Sequence, residues 1–341
     1  MPRQAFWSRC ARPGRAALAA LYLAIALLPA MARAADWLPS WNDGASKARI
    51  IAFVEAVTEP AGKQYVPPSE RIAVFDNDGT LWTEQPMYFQ LAFILDRVRA
   101  LAPGHPEWRT QEPFKSALAG DMAGVARSGE HGLLEMMAAT HAGMTTDEFR
   151  GIVADWLATA KHPRFGRPYT ELTYAPMTEL LAYLRANGFR TFIVSGGGVE
   201  FMRVFSERVY GVPPEQVIGS SIRTQYEVRD GKPVIVRLPE LEFIDDKAGK
   251  PLGINRYIGR KPILAFGNSD GDFEMLEYTT SAPGPRLGFI VHHDDAEREY
   301  AYDRKSPIGR LERGLDEAAS RGWVIVSMKD DWRRVYAAPG K

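Results

Sequence analysis

Short, largely apolar runs alternate along this chain with stretches whose apolar positions recur every three or four residues. The first run is Ile72-Ala73-Val74-Phe75, and others follow at Phe189 to Val194, Ile263 to Phe266, Leu287 to Val291 and Trp323 to Val326. Runs of four to six apolar residues between turn signals predict buried strands. Helical spacing is seen at Ala45 to Val57, Met177 to Ala186 and Phe201 to Val209. Such alternation of strand and helix predicts an α/β fold with a mostly parallel sheet flanked by helices. Gln216 to Ile222 reads as a further short strand. Ile222 to Val236 holds two polar, alternating segments around Asp230-Gly231, a hairpin signal. The pattern changes after Trp82. Met87 to Leu101, Phe114 to Ala119, Leu133 to His141 and Thr146 to Ala160 all read as helices, punctuated by Pro103, Pro106, Gly120 and Gly143 and with Thr145 or Thr146 as a cap. We therefore expect a helical insertion at 83–167 within a catalytic core formed by 35–82 and 168–341.

The polar ends of the buried runs carry the candidate chemistry. In an open α/β sheet, ligands bind beyond the carboxyl ends of the strands. The first run ends in Asp76-Asn77-Asp78-Gly79-Thr80. Two carboxylates two residues apart there offer hard oxygen donors suited to Mg²⁺, and Gly79 allows a sharp turn. The Phe189 run ends in Ser195-Gly196-Gly197-Gly198, where a hydroxyl and close-approaching N–H groups can meet an anion near a helix start. Asp245-Asp246-Lys247-Ala248-Gly249-Lys250-Pro251 offers two lysines. Pro favours the first helical turn, which places Lys250 near the N-cap and favours it over Lys247 as an anion ligand. The Ile263 run ends in Gly267-Asn268-Ser269-Asp270-Gly271-Asp272, an oxygen-rich loop before the helix that starts at Phe273.

Acid pair, Ser-Gly-Gly, lysine and Gly-Asn-x-Asp-x-Asp arrive in an order that resembles the haloacid dehalogenase superfamily, and within it the phosphoserine phosphatase-like branch. The resemblance spans about Arg71 to Val291. It implies a Rossmann-like core with an inserted helical cap, Mg²⁺ as cofactor, and phosphoryl transfer through an aspartyl-phosphate. By the resemblance Asp76 is the nucleophile and Asp78 the general acid/base. Thr80, Ser195, Gly196 and Lys250 would bind phosphate. The metal shell would be Asp76, the main chain of Asp78, Asn268 and Asp272. Asn268 departs from the family, which has an aspartate there; the amide keeps an oxygen but supplies no charge. Glu84, eight residues after Asp76, matches in placement the acid that reads the substrate amine in phosphoserine phosphatases. A hinge or helix-capping glutamate is the other reading. A dehalogenase on this fold needs neither Mg²⁺ nor a second acid, so the Asp76–Asp78 pair favours a phosphatase. A non-catalytic binding protein is disfavoured because the other motif residues are intact.

His292 and His293 end the Leu287 run. Neighbouring residues on a strand face opposite ways, so the two do not share an ion, and we expect them in a loop or at the site's rim. Trp82, Trp108 and Trp156 are expected to pack rather than to bind substrate.

Composition adds location. The 341 residues carry 42 basic and 42 acidic side chains and are 45% hydrophobic, enough for a large core and without the charge excess of a nucleic-acid binder. Arg3, Arg9, Arg12 and Arg15 precede an apolar run from Ala16 to Ala30, and Ala32-Arg33-Ala34 follows. This is the layout of a signal peptide over residues 1–34, too short an apolar run for a membrane span of about 20 residues. Cleavage after Ala34 removes five arginines and no acid, leaving 37 basic against 42 acidic residues, a net charge of −5. It also removes Cys10, the single cysteine, so the mature chain has no disulfide or thiol chemistry. The expectation is an exported enzyme, periplasmic or secreted, without stable membrane insertion after processing. Its partner would be a small phosphorylated metabolite.

Overall fold

Ile72 and Val74 pack on one side of the central sheet and Ala73 and Phe75 on the other. This is the period-two consequence of a strand buried on both faces. The computed structural model describes residues 36–338, so the segment read as a signal peptide over 1–34 lies outside the described residues. Eight strands form the sheet: β1 (Ile72–Phe75), β2 (Arg190–Gly198), β3 (Val217–Arg229), β4 (Lys232–Phe243), β5 (Leu264–Gly267), β6 (Leu287–Asp294), β7 (Ala301–Tyr302) and β8 (Val324–Ser327). Their order is β4-β3-β2-β1-β5-β6-β7, with β8 also on β6. Every pair is parallel except the hairpin partners β3 and β4 and the short β7 on β6. The mostly parallel α/β sheet is as expected.

Phe75, Phe266 and Phe289 lie in register across β1, β5 and β6. Their rings stack with centroids 5.2 and 4.4 Å apart, a rigid apolar floor beneath the carboxyl edge of the sheet. The helix Ala175–Ala186 adds Met177, Leu180, Leu181 and Leu184 to this side. The helices Gly249–Tyr257 and Phe273–Thr280 cover the opposite face with Ile254, Phe273, Met275 and Leu276.

Five α-helices lie within 83–167: Phe89–Leu101, Phe114–Ala119, Met122–Arg127, Gly129–His141 and Thr146–Thr159. Thr145 caps the last through a reciprocal pair with Glu148. Met122–Arg127 was not expected; Gly124 weakens its helical pattern, and Asp121 starts it by accepting from the Gly124 N–H at 2.9 Å. These helices share a small apolar cluster that includes Ile94, Val98, Trp108, Phe114 and Met136. They do not separate as a unit, since the chain from Trp37 onward is one compact body. No helix among the described residues is long and apolar enough to cross a membrane.

Two expectations are corrected here. The helix read over Phe201 to Val209 is two short ones, Val199–Arg203 and Ser206–Tyr210. The short strand from Gln216 and the polar segments after Ile222 are one continuous β3 and its partner β4. β3 pairs with β2 as far as Ser220 and with β4 from Ser221 onward, so its character changes where it leaves the buried sheet. Asp230 and Gly231 make the turn with φ of +50° and +73°, which Gly tolerates freely and Asp better than most. β4 then reaches the helical region, where the Arg237 N–H donates to the Met144 carbonyl at 2.9 Å and its guanidinium lies over Phe149.

Candidate active site

β1, β2 and β5 end side by side and deliver the acid pair, the Ser-Gly loop and Asn268 to one edge. The Asp76 N–H donates to the Phe266 carbonyl at 2.9 Å, which fixes Asp76 just past the last paired residue of β1. Gly79 then turns with φ +74°. A Cβ there would lie 2.1 Å from Asn268 Nδ2 and 2.4 Å from Glu84 Oε1, so both conformation and crowding require glycine at this position.

Lys250 is the buried lysine. Its Nζ donates to Asp76 Oδ1 at 2.7 Å, Asp272 Oδ1 at 2.6 Å and the Val194 carbonyl at 3.0 Å, which uses all three ammonium hydrogens. Burial alone would lower its pKa, but Asp272 and Asp76 outweigh that and raise it. Lys250 was favoured over Lys247, and it is the one that reaches Asp76, but the positional argument needs correcting. The helix begins at Gly249 with Ala248 as N-cap, so Lys250 lies inside the first turn and Pro251 is its third residue. Lys247 is exposed at the cavity rim with φ +48°.

Asp76 is pushed up to about 8, first by burial and then by repulsion from Asp272, with Lys250 opposing. Asp78 is pushed up to about 6, also by burial, against the hydrogen bond that Trp82 Nε1 donates to its Oδ1 at 2.8 Å. Trp82 therefore packs, as expected, between Phe89 and Phe205, and also orients the second acid. Ser195 Oγ accepts from the Gly197 N–H at 3.2 Å and lines the cavity with Gly196. Gln90, which sequence reasoning missed, brings its Oε1 to the Gly198 N–H at 2.7 Å and so ties the 89–101 helix to the glycine loop.

Three expected site residues have other roles in the structure. Thr80 is fully buried and outside the cavity lining; its hydroxyl donates to Asn268 Oδ1 at 3.0 Å rather than facing a phosphate. Asp272 has both oxygens engaged, Oδ1 by Lys250 and Oδ2 by the N–H groups of Asn268 and Ser269 at 2.9 and 3.0 Å. It holds the lysine and the loop. Glu84 lines the cavity, yet its Oε1 accepts from Asn268 Nδ2 at 2.7 Å and from the Tyr302 hydroxyl at 2.8 Å. Burial pushes it up to about 8.

His293 is likewise no rim residue. It is buried and stacked on Tyr302, with Nε2 2.7 Å from the Gly79 carbonyl and Nδ1 3.2 Å from Glu299 Oε2. Glu299 raises its pKa against the effect of burial. His292, half-buried, faces Asp303 instead. The opposite-face argument correctly separates the pair; burial of one face of β6 is what it left out.

Asp76 and Asp272 share the Lys250 ammonium, and burial penalises the ionised forms of Asp76 and of the neighbouring Asp78 and Glu84. Such a site suits a cation. Among the described residues no group of three or more His, Cys, Asp or Glu side chains could by itself hold a metal ion. Mg²⁺ is usually held by one or two carboxylates plus substrate phosphate and water. Asp76 and the Asp78 carbonyl are donors of that kind, with the Asn268 amide beside them.

The site opens into a cavity of about 540 Å³. Its floor is Asp76, Asp78, Ser195, Gly196 and Lys250. Its opposite wall comes from the 89–101 and 129–141 helices and the end of β4.

A family model described as haloacid dehalogenase-like hydrolase matches residues 73–277. No curated protein matches the chain. Among solved structures, a conserved protein of unknown function from Anaerococcus prevotii DSM 20548 is 17% identical with a TM-score of 0.49, covering 78% of this chain and 95% of that one. One of unknown function from Bordetella pertussis Tohama I is 18% identical with a TM-score of 0.46, covering 75% and 98%. A phosphoserine phosphohydrolase-like protein from Francisella tularensis subsp. tularensis SCHU S4 is 17% identical with a TM-score of 0.38, covering 73% and 98%.

Proposed function

The chain belongs to the haloacid dehalogenase-like hydrolases, and from that membership we propose that it is a Mg²⁺-dependent phosphomonoesterase working through an aspartyl-phosphate on Asp76. The observation that carries the reading is Lys250 Nζ at 2.7 Å from Asp76 Oδ1 on the floor of a cavity that also holds Asp78 and Ser195. The Lys250 ammonium favours the ionised form of the nucleophile against the burial that raises it, and it places positive charge where phosphoryl oxygens gather.

Asp76, the Asp78 main-chain carbonyl and Asn268 would hold Mg²⁺, which when bound supplies charge neutralisation for the phosphoryl group. Ser195 and Gly196 bind the remaining oxygens. An Asp76 carboxylate oxygen forms the new P–O bond while the bond from phosphorus to the substrate alcohol breaks. Asp78, raised to about 6, gives its proton to the departing alkoxide. It then takes a proton from water, whose oxygen attacks phosphorus and releases phosphate and the Asp76 carboxylate. An acid near neutral pKa serves both steps.

Export belongs to the same proposal, supported by the arginines, apolar run and Ala32-Arg33-Ala34 of the N-terminus. A periplasmic or secreted product starting at Ala35, read by N-terminal mass spectrometry, would bear it out. For the activity, the test is release of p-nitrophenol from its phosphate ester by wild type with Mg²⁺, by wild type with EDTA, and by Asp76→Asn. We expect turnover only in the first. Undiminished turnover by Asp76→Asn overturns the reading.

A further inference from the structure

The wall that faces the catalytic floor carries no charge. Along the 89–101 and 129–141 helices and the end of β4 it is lined by Leu91, Ile94, Leu133, Met137, Leu241 and Ile244, with Gln90 as its polar member. Ile94 is almost fully buried, but Leu133 and Ile244 are 38% and 45% exposed. A single exposed leucine needs no explanation. Apolar side chains from three elements that converge on one cavity with a reactive floor do call for one.

We propose that the substrate is a phosphate monoester of an apolar alcohol, an alkyl chain or aryl ring, whose body lies against this wall while its phosphate meets Asp76 and Ser195. The inference rests on the phosphomonoesterase reading above and names the leaving group for it. An amino-acid leaving group such as serine needs a cation for its carboxylate and an anion for its amine. Lys250 has all its hydrogens committed and none left for a carboxylate; Glu84 has Oε1 held by Asn268 and Tyr302, which leaves only Oε2 of that side chain for an amine. The remaining lining charges, Asp246 and Lys247, are exposed on the connection that follows β4, two and three residues after Ile244, where water screens their hold on a substrate charge. At about 540 Å³ the cavity lies in the range that encloses drug-sized ligands, well beyond the needs of phosphate and three carbons.

The test is a series of linear alkyl phosphates from methyl to octyl, kept below micelle formation. It is compared with phosphoserine and p-nitrophenyl phosphate on the mature chain with Mg²⁺. From butyl to octyl the leaving alcohol keeps its chemistry while apolar area grows. Full burial of a methylene is worth about fourfold in affinity; with one side open we expect about twofold per methylene, so at least about tenfold in kcat/KM from butyl to octyl. Phosphoserine should fall below butyl phosphate. In the double variant Leu133→Gln, Ile244→Gln, both sites exposed enough to tolerate the change, the octyl-to-methyl ratio should fall at least about fivefold. Hydrolysis of all esters with no dependence on chain length overturns the inference and leaves the phosphatase reading standing. An unchanged ratio in the double variant also overturns it. Loss of activity on every ester, p-nitrophenyl phosphate included, sinks the phosphatase reading itself.

Discussion

Asn268 Nδ2 lies 2.7 Å from Glu84 Oε1, joining residues 184 positions apart at the edge of the acid-pair loop. Seen from its neighbour, the amide that departs from the family pattern has a physical reason. A carboxylate at 268 would face a carboxylate at 84 in a buried site, and like charges at that distance do not both ionise without a cation or proton between them. The chain thus keeps a carboxylate beside the metal-binding edge but carries it on Glu84. We expect Asn268→Asp to lower the melting temperature of the metal-free protein, through a penalty on the order of 2 kcal/mol. Adding Glu84→Gln to it should restore most of the loss, and Mg²⁺ should stabilise Asn268→Asp more than wild type. Thermal unfolding of the three proteins in EDTA and in Mg²⁺ decides the matter; a metal-free Asn268→Asp as stable as wild type would show that the pair does not matter.

Lys250 and Lys247 make a clean contrast, one buried on two carboxylates and the other exposed at the rim. Lys250→Ala should lower kcat/KM at least about 100-fold, the scale of losing a preorganised charge at a transition state. Lys247→Ala should lower it less than about tenfold. Lys250→Ala also leaves Asp76 and Asp272 without their shared ammonium, so its melting temperature should drop while that of Lys247→Ala stays put. Parallel kinetics and melting curves test both halves, and equal sensitivity of the two lysines would remove Lys250 from its role.

What the sequence made legible, and what it hid, divides along a physical line. Asp76, Asp78, Ser195 and Lys250 could be placed because each follows a buried apolar run or opens a helix, and such ends are marked locally by Gly, Pro and acids. Partner choice could not be read. Thr80 and Asp272 bear the residue types of ligands, yet Thr80 bonds to Asn268, 188 positions away, and Asp272 to Lys250 and to the main chain of its own loop. Gln90 and Tyr302 escaped notice because nothing local distinguishes them, and His293 was noticed but misplaced; their importance comes from what they touch. Leu133 and Leu241 are ordinary helix and strand residues, and Ile244 an ordinary residue just past β4, until the fold brings them to one cavity.

His293 lies between Glu299 and the Gly79 carbonyl, with Tyr302 stacked on its ring. It touches no cavity atom, so its part is to hold the turn that aims Asp76 and Asp78. Replacing it by Phe keeps the stacking shape and removes both hydrogen bonds. We expect His293→Phe to lower kcat about 10- to 100-fold, the range for disturbing a group that orients catalytic ligands, with KM changed less than threefold. His293→Gln, which can still donate to Gly79, should recover part of kcat. Steady-state kinetics of both variants, with melting curves to show folding, would settle it; a KM effect alone would mean that the turn is held by other contacts.

The pH dependence of stability follows from the buried acids. Burial pushes Asp76 and Glu84 up to about 8, Asp245 to about 7 and Asp78 to about 6, whereas carboxylates in an unfolded chain ionise near about 4. Between those values the native state holds more protons than the unfolded state, so stability falls as pH rises. Below about 4 both states are protonated and the contribution is fully present. Buried His141, lowered to about 3, works the other way, but its effect fades as the unfolded histidine loses its proton above about 6.5. His293, raised by Glu299, adds to the fall. From pH 6.5 to 8 the fall from the carboxylates and His293 outweighs the remaining rise from His141 and from His162, which burial also lowers. In EDTA the melting temperature should drop across this window, and Asp76→Asn should drop less because one of the groups titrating near 8 is gone. Mg²⁺ binds the ionised site, so the stabilisation it gives wild type should grow from pH 6.5 to 8 and nearly vanish in Asp76→Asn. Melting curves at pH 6.5, 7.25 and 8 measure all three slopes. A metal-free wild type that gains stability across this window would mean that these carboxylates are already ionised in the folded protein, and that the excess of buried acid at Asp76 and Glu84 is balanced by charge within the chain.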